Sequence, residues 1–141
     1  MSDRNVFITG AAGTGKSFLT QKGIKRHRDS CRAHQLLVTA TTGLAASHYP
    51  GGRTIHRALH LGIHGNFERI VYSPKFQNET KRRLRTARLI IIDEISMLRS
   101  DTLELIDRVL QFARNDKAVF GGLRTVFVGD FLQLPLSLIH I

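Results

Sequence analysis

Hydrophobic and polar positions along this chain follow two different periods. Four short apolar runs, Asn5-Val6-Phe7-Ile8-Thr9, Gln35-Leu36-Leu37-Val38-Thr39-Ala40, Arg88-Leu89-Ile90-Ile91-Ile92 and Thr125-Val126-Phe127-Val128, are bounded by turn residues. They have the length and aliphatic content of strands buried on both faces. Between them the spacing changes to that of helices. Ser17 to about Arg28 reads as an amphipathic helix with Phe18, Leu19 and Ile24 toward a sheet and Lys22, Lys25, Arg26 and Arg28 outward. Ser100 to about Asn115 reads as another: Leu103, Ile106, Leu110 and Ala113 form its core stripe, Glu104, Asp107, Arg108 and Arg114 its wet face, and Ser100 its cap. Thr54 is placed to cap a helix after the pair Gly51-Gly52, with Leu61-Gly62 ending it, and Lys75 to Thr86 reads as a basic helix. Residues 65–80, mixed and polar around Pro74, read as a surface excursion, and Phe120-Gly121-Gly122 as a turn. Strands alternating with helices predict an α/β fold, a mainly parallel sheet with helices on both faces.

The first strand runs into Gly10-Ala11-Ala12-Gly13-Thr14-Gly15-Lys16-Ser17, which fits the phosphate-binding loop G-x-x-x-x-G-K-[ST] at every fixed position. Glycines there let successive backbone N–H groups curl around phosphate oxygens at the positive end of the following helix. Lys16 then addresses the β- and γ-phosphates of ATP, and the Ser17 hydroxyl a magnesium ion. The third run ends in Asp93-Glu94. Charges directly after buried apolar residues are poorly motivated unless they do chemistry. Asp93 suits the magnesium shell, and Glu94 is placed to orient and deprotonate the attacking water. The last run leads to Gly129-Asp130-Phe131-Leu132-Gln133-Leu134-Pro135, where Gln133 is placed to contact the γ-phosphate or that water. Ligands of open parallel sheets bind beyond the carboxyl ends of the strands. The tip Thr41-Thr42-Gly43 therefore joins the candidate set.

Composition narrows the class. The 141 residues are enough for one core, and no apolar run approaches the roughly 20 residues of a membrane span. The short lead-in to the first strand reads as carrying no signal or transit segment, and Cys31, the single cysteine, rules out an internal disulfide and suits a reducing compartment. Of the net charge of +10, residues 1–92 hold +12 and residues 93–141 hold −2. The clusters at 22–28 and 81–85 exceed what one nucleotide needs, which points to a polyanion, a solvated helix face being the alternative for either cluster alone. His56, His60 and His64 recur every four residues, but without acidic or cysteine ligands in sequence they are not read as a metal site. Contact with a nucleic-acid strand is the better use of His56, with a solvated histidine as the alternative.

Together the segments GAAGTGKS, TATTGLAA, GGRTIHRAL, LIIIDEISML and FGGLRTVFVGDFLQLP resemble the first, RecA-like motor domain of superfamily-one DNA helicases of the petite-integration-frequency (Pif) type, with RecD and Dda as more distant relatives. The resemblance runs over about residues 5–135. It implies an ATPase built on Lys16, Ser17, Asp93, Glu94 and Gln133. It also implies a single-stranded DNA path along Thr41, Thr42, Gly43, Thr54 and His56, 5′-to-3′ movement, and roles in DNA repair, recombination and telomere maintenance. The family's adenine-recognition segment has no counterpart before Asn5, and a second motor domain in cis would supply the arginine that completes the ATP site. The chain is thus expected to be a fragment: a motor half over 1–135 and a non-native tail over 136–141, not unwinding DNA by itself. An intracellular location follows, nuclear or mitochondrial in a eukaryote, with no membrane partner. The competing readings are a small phosphate-loop kinase and a nucleic-acid-binding module with a degenerate ATP site.

Overall fold

The computed structural model describes residues 5–10, 15–30, 35–62 and 65–130. Five strands form one sheet: β1 (Val6–Thr9), β2 (Leu36–Ala40), β3 (Arg53–Thr54), β4 (Leu89–Asp93) and β5 (Arg124–Gly129). Their spatial order is β1-β5-β4-β2-β3, and every pairing is parallel. The four apolar runs of the sequence supply four of these strands. The fifth, β3, is only two residues long and carries no hydrophobic signal; it pairs with Thr39 and Ala40 alone.

Strand side chains alternate between faces, and the two faces have separate cores. On one, Ile24 of α1 (Lys16–Ser30) packs with Leu36, Val38, Tyr49, Ile91 and Val128. On the other, Ile90, Ile92 and Phe127 meet Leu103, Ile106, Val109, Leu110 and Ala113 of α6 (Ser100–Arg114). Ile55 and Leu59 of α3 (Ile55–Leu59) and Leu84 of α5 (Lys81–Thr86) join this second core, while the short α2 (Gly43–Ser47) covers Ala40. Helices on both faces of a parallel sheet are as the alternating pattern predicts.

Several helix assignments need correction. Phe18 and Leu19 do not face the sheet: they are 63% and 57% exposed, while Thr20 and Ile24 are buried. At about 100° per residue, Thr20, Ile24, His27 and Arg28 share a stripe from which Phe18 and Leu19 point away. Its first member is polar and bonds the Lys16 carbonyl through its hydroxyl at 2.7 Å, so a reading by hydrophobicity passes over it. Lys22 Nζ lies 4.9 Å above the Phe18 ring.

Residues 65–80 are not a surface excursion. They form α4 (Phe67–Val71) and a π-helical turn (Phe76–Thr80) continuous with α5, and they bury Ile70, Val71, Phe76 and Thr80. Phe76, Thr80 and Leu84 are a stripe at four-residue spacing, hidden in the sequence by the charged residues between them. Ser100 does not cap α6; the capping position is Arg99, with no side-chain bond. Asp107 and Arg114 turn inward, Asp107 accepting from Gln111 Nε2 at 3.0 Å and the Phe120 amide at 2.7 Å.

The glycine pair before β3 has a steric cause. A Cβ on Gly52 would lie 2.3 Å from the Ala46 carbonyl oxygen and 3.0 Å from that of Tyr49. Both obstacles are backbone, so Gly52→Ala is expected to destabilise the fold by roughly 2–4 kcal/mol, read from urea unfolding midpoints. An unchanged midpoint would show that the turn yields freely.

Candidate active site

Because all five strands are parallel, their carboxyl ends share one edge. Register aligns the tips: Thr9 lies opposite Gly129, and Ala40 lies opposite both Asp93 and Thr54. The residues beyond those tips, Gly10, Asp130, Glu94 and Thr41, are thereby gathered on a single rim. The strand leading to the phosphate loop is separated from the acidic strand by β5 alone, about 10 Å at the usual strand spacing.

At the first tip, α1 opens with Lys16, whose Nζ donates to the Gly10 carbonyl and so closes the loop on its own base. Gly15 has φ of +88°, a conformation that a side chain would strain. Ala11, Ala12, Gly13 and Thr14 lie outside the described residues, as do the Ser17 side chain and Gln133.

The second tip carries the most specific geometry. Asp93 is buried; its Oδ1 accepts the Glu94 amide at 2.7 Å and its Oδ2 accepts the Tyr49 hydroxyl. Glu94, the next residue, is exposed and left-handed at φ +58° and ψ 42°. A non-glycine residue held there is strained and needs surrounding structure to fix it. That structure is present. The Glu94 carbonyl accepts Thr41 Oγ1 at 2.9 Å and the Met97 amide at 3.0 Å, while the Thr41 amide donates to the Asp93 carbonyl at 3.1 Å. The tip of β2 therefore clamps the tip of β4, and the two adjacent carboxylates diverge, one inward and one to solvent.

The Asp93 carboxylate suits a hard cation. Both its partners are neutral donors, so the buried negative charge has no ion pair among the described residues, and about half of its acceptor sites stay open. Sequence reasoning missed Tyr49. A buried tyrosine hydroxyl needs a partner, but nothing in the order of residues says that the partner stands 44 positions away.

The remaining candidates divide. Thr42 and Thr54 reach the rim, but their hydroxyls accept the Ala45 and Arg57 amides, each at 3.2 Å, as the N-caps of α2 and α3. Gly43 and His56 are exposed beside them. Of the basic clusters, 81–85 is partly engaged by the fold, although Arg82 and Arg85 stay exposed. Arg83 donates to the Ala58 carbonyl at 2.6 Å, Arg85 to that of Ala113 at 3.3 Å, and Lys81 lies over the Phe112 ring. In the other cluster Arg28 donates to the Pro50 carbonyl at 2.7 Å.

A parallel sheet in which one strand separates the phosphate-loop strand from the strand ending in paired carboxylates defines a RecA-like phosphate-loop NTPase domain. The model of the PIF1-like helicase family matches residues 1–138, and the chain belongs to that family. It is 40% identical over 133 residues to the ATP-dependent DNA helicase Pif1 of Psychrobacter, covering 94% of this chain and 20% of that protein. The crystal structure of Pif1 helicase from Candida albicans superposes with a TM-score of 0.84 at 39% identity, over 94% of this chain and 30% of that one. Pif1 helicase from Bacteroides, in complex with ADP-AlF3 and single-stranded DNA, superposes with a TM-score of 0.77 at 34% identity, over 96% of this chain and 30% of that one. The chain thus spans about a fifth to a third of the length of these relatives. Among the described residues, no helix is long and apolar enough to cross a membrane.

Proposed function

We propose that this chain is the ATP-hydrolysing half of a DNA helicase motor that moves 5′-to-3′ along single-stranded DNA. The observation that carries the reading is the rim itself: Gly10 at the base of the phosphate loop, buried Asp93, strained Glu94 and the Thr41 clamp lie at the carboxyl ends of parallel strands on one sheet edge. Lys16 exchanges the Gly10 carbonyl for the β- and γ-phosphates of ATP. Ser17 and Asp93 hold magnesium, which supplies charge neutralisation at those phosphates. Glu94 takes the proton from the attacking water, a role for which Asp93, buried and doubly bonded, is badly placed. Gln133 contacts the γ-phosphate and changes partners on hydrolysis. Single-stranded DNA crosses the rim at Thr41, Thr42, Gly43, Thr54 and His56. With two of the threonine hydroxyls used as caps, the exposed His56 and the backbone offer the more accessible contacts.

The reading extends to a motor half over 1–135, residues 136–141 being foreign to it. It also includes a second motor domain in cis, whose arginine completes the ATP site and without which unwinding fails; the greater length of the relatives supports this. Work on DNA places the protein inside the cell, in the nucleus or mitochondrion of a eukaryote. Product analysis tests the reading against a phosphate-loop kinase: free phosphate should appear from ATP, and Lys16→Ala should abolish it. A phosphorylated acceptor would overturn the reading.

Tyr49 acts here as a positioning residue for Asp93. Tyr49→Phe is expected to cost about 1 kcal/mol of stability and to raise several-fold the magnesium concentration that half-saturates both nucleotide binding and hydrolysis. Unchanged magnesium dependence in nucleotide-binding titrations would remove Tyr49 from the site.

A further inference from the structure

Beside the rim, the outer flank of the sheet is open. The terminal strand β3 pairs only with Thr39 and Ala40, so residues 36–38 of β2 have no strand on that side among the described residues. The resulting groove, of about 180 Å³, is lined by residues 36–39 together with Gly51, Arg53, Ala58 and Arg83. Two arginines are its only charged lining residues among those described. The Arg53 side chain is exposed and makes no hydrogen bond or ion pair among the described residues. Arg83 spends one Nη on the Ala58 carbonyl, but its buried Nε has no hydrogen-bond partner among the described residues.

Such an arrangement is unfavourable without an anion. Burial first, and then the like charge of Arg53, pull the Arg83 guanidinium below its usual range, while Glu79 opposes the shift. A buried donor left unpaired costs free energy comparable to a lost hydrogen bond, and guanidinium forks match phosphate oxygens. The volume falls below the roughly 300 Å³ of pockets that enclose whole small-molecule ligands, which favours a phosphate group over an entire nucleotide. Arg53 precedes Thr54, so the groove continues from the end of the rim at which the proposed DNA path would leave it.

We propose that the Arg53–Arg83 groove binds a backbone phosphate of the single strand as the strand leaves the rim and turns down the flank of the sheet. This rests on the DNA-motor reading above and adds a phosphate site to its track. Contact through phosphate fixes position without reading sequence, as a translocating motor needs.

The test is the salt dependence of single-stranded oligonucleotide binding, by fluorescence anisotropy, with the full-length protein. Arg53→Gln should weaken binding several-fold for every sequence tried and should flatten the slope of log affinity against log salt by about 0.7, one single-strand phosphate contact. Arg53→Lys should restore most of the slope. Lys117→Gln, which removes an exposed cation just past the end of α6, should leave it as in the wild type. Equal slopes for wild type and Arg53→Gln would overturn the proposal while leaving the motor reading standing. Failure of the wild type to bind DNA in a salt-dependent way would overturn both. Stabilisation by inorganic phosphate that is lost in Arg53→Gln, with an unaltered DNA slope in that variant, would make the groove a free-anion site and also overturn the proposal.

Discussion

Glu94→Gln is expected to lower ATP turnover by about 10²–10⁴-fold while nucleotide continues to bind. The substitution keeps the size of the side chain and removes its ability to take a proton. Its backbone environment should persist, because the clamp from Thr41 and the bond from Asp93 reach the Glu94 carbonyl and amide and leave its carboxylate free of them. The protein should therefore fold, bind ATP with magnesium and stall. Single-turnover hydrolysis and nucleotide affinity, measured on the same preparation, separate the two steps. Turnover within tenfold of wild type would mean that another group deprotonates the water, and the strained conformation of Glu94 would need a different explanation.

Arg114→Met is expected to destabilise the fold by about 3–5 kcal/mol, a large share of the roughly 5–15 kcal/mol that holds a domain together. The guanidinium stands at the end of α6 and donates to four carbonyls. Nε reaches Gly121 at 2.8 Å, and Nη1 reaches Leu84 at 2.9 Å, Arg85 at 3.2 Å and Ala87 at 2.8 Å. It thus ties the end of α5 and the entry to β4 to the turn before β5. Burial lowers its pKa from the ordinary arginine value, opposed by the nearby charge of Asp116. Methionine matches the stem but leaves those carbonyls without their charged donor. Arg114→Lys should recover only part of the loss, since one ammonium does not reproduce the planar fork. Chemical denaturation of the three proteins measures this, and a loss under 1 kcal/mol would show that water replaces the guanidinium.

Much of this architecture was legible from local sequence. In runs such as Leu89-Ile90-Ile91-Ile92 the isoleucines of a central strand are buried in the cores on both faces of the sheet, so one short segment signals both its conformation and its depth. The divergence of Asp93 and Glu94 likewise follows from their adjacency at a strand end. What escaped depends on partners far along the chain. Tyr49 gains its meaning only when β2 and β4 pair, and Asp107 and Arg114 look like wet-face residues until the turn at 119–122 presents an amide and a carbonyl to them. Phe18 and Leu19 misled because the stripe of α1 begins with a threonine. The segment 65–80 misled because its inward residues are single and separated by charge. The arginines of 81–85 showed the same limit from the other side: sequence reports a positive cluster, but only packing tells which charges are consumed by carbonyls.

The rim is proposed to couple ATP hydrolysis to a DNA strand, and phosphate release from ATP by the full-length protein, titrated with a single-stranded oligonucleotide, tests that coupling most directly. Hydrolysis is expected to rise at least several-fold to saturation with DNA and to disappear in Lys16→Ala. Phosphate release unchanged by DNA at any concentration would contradict the coupling.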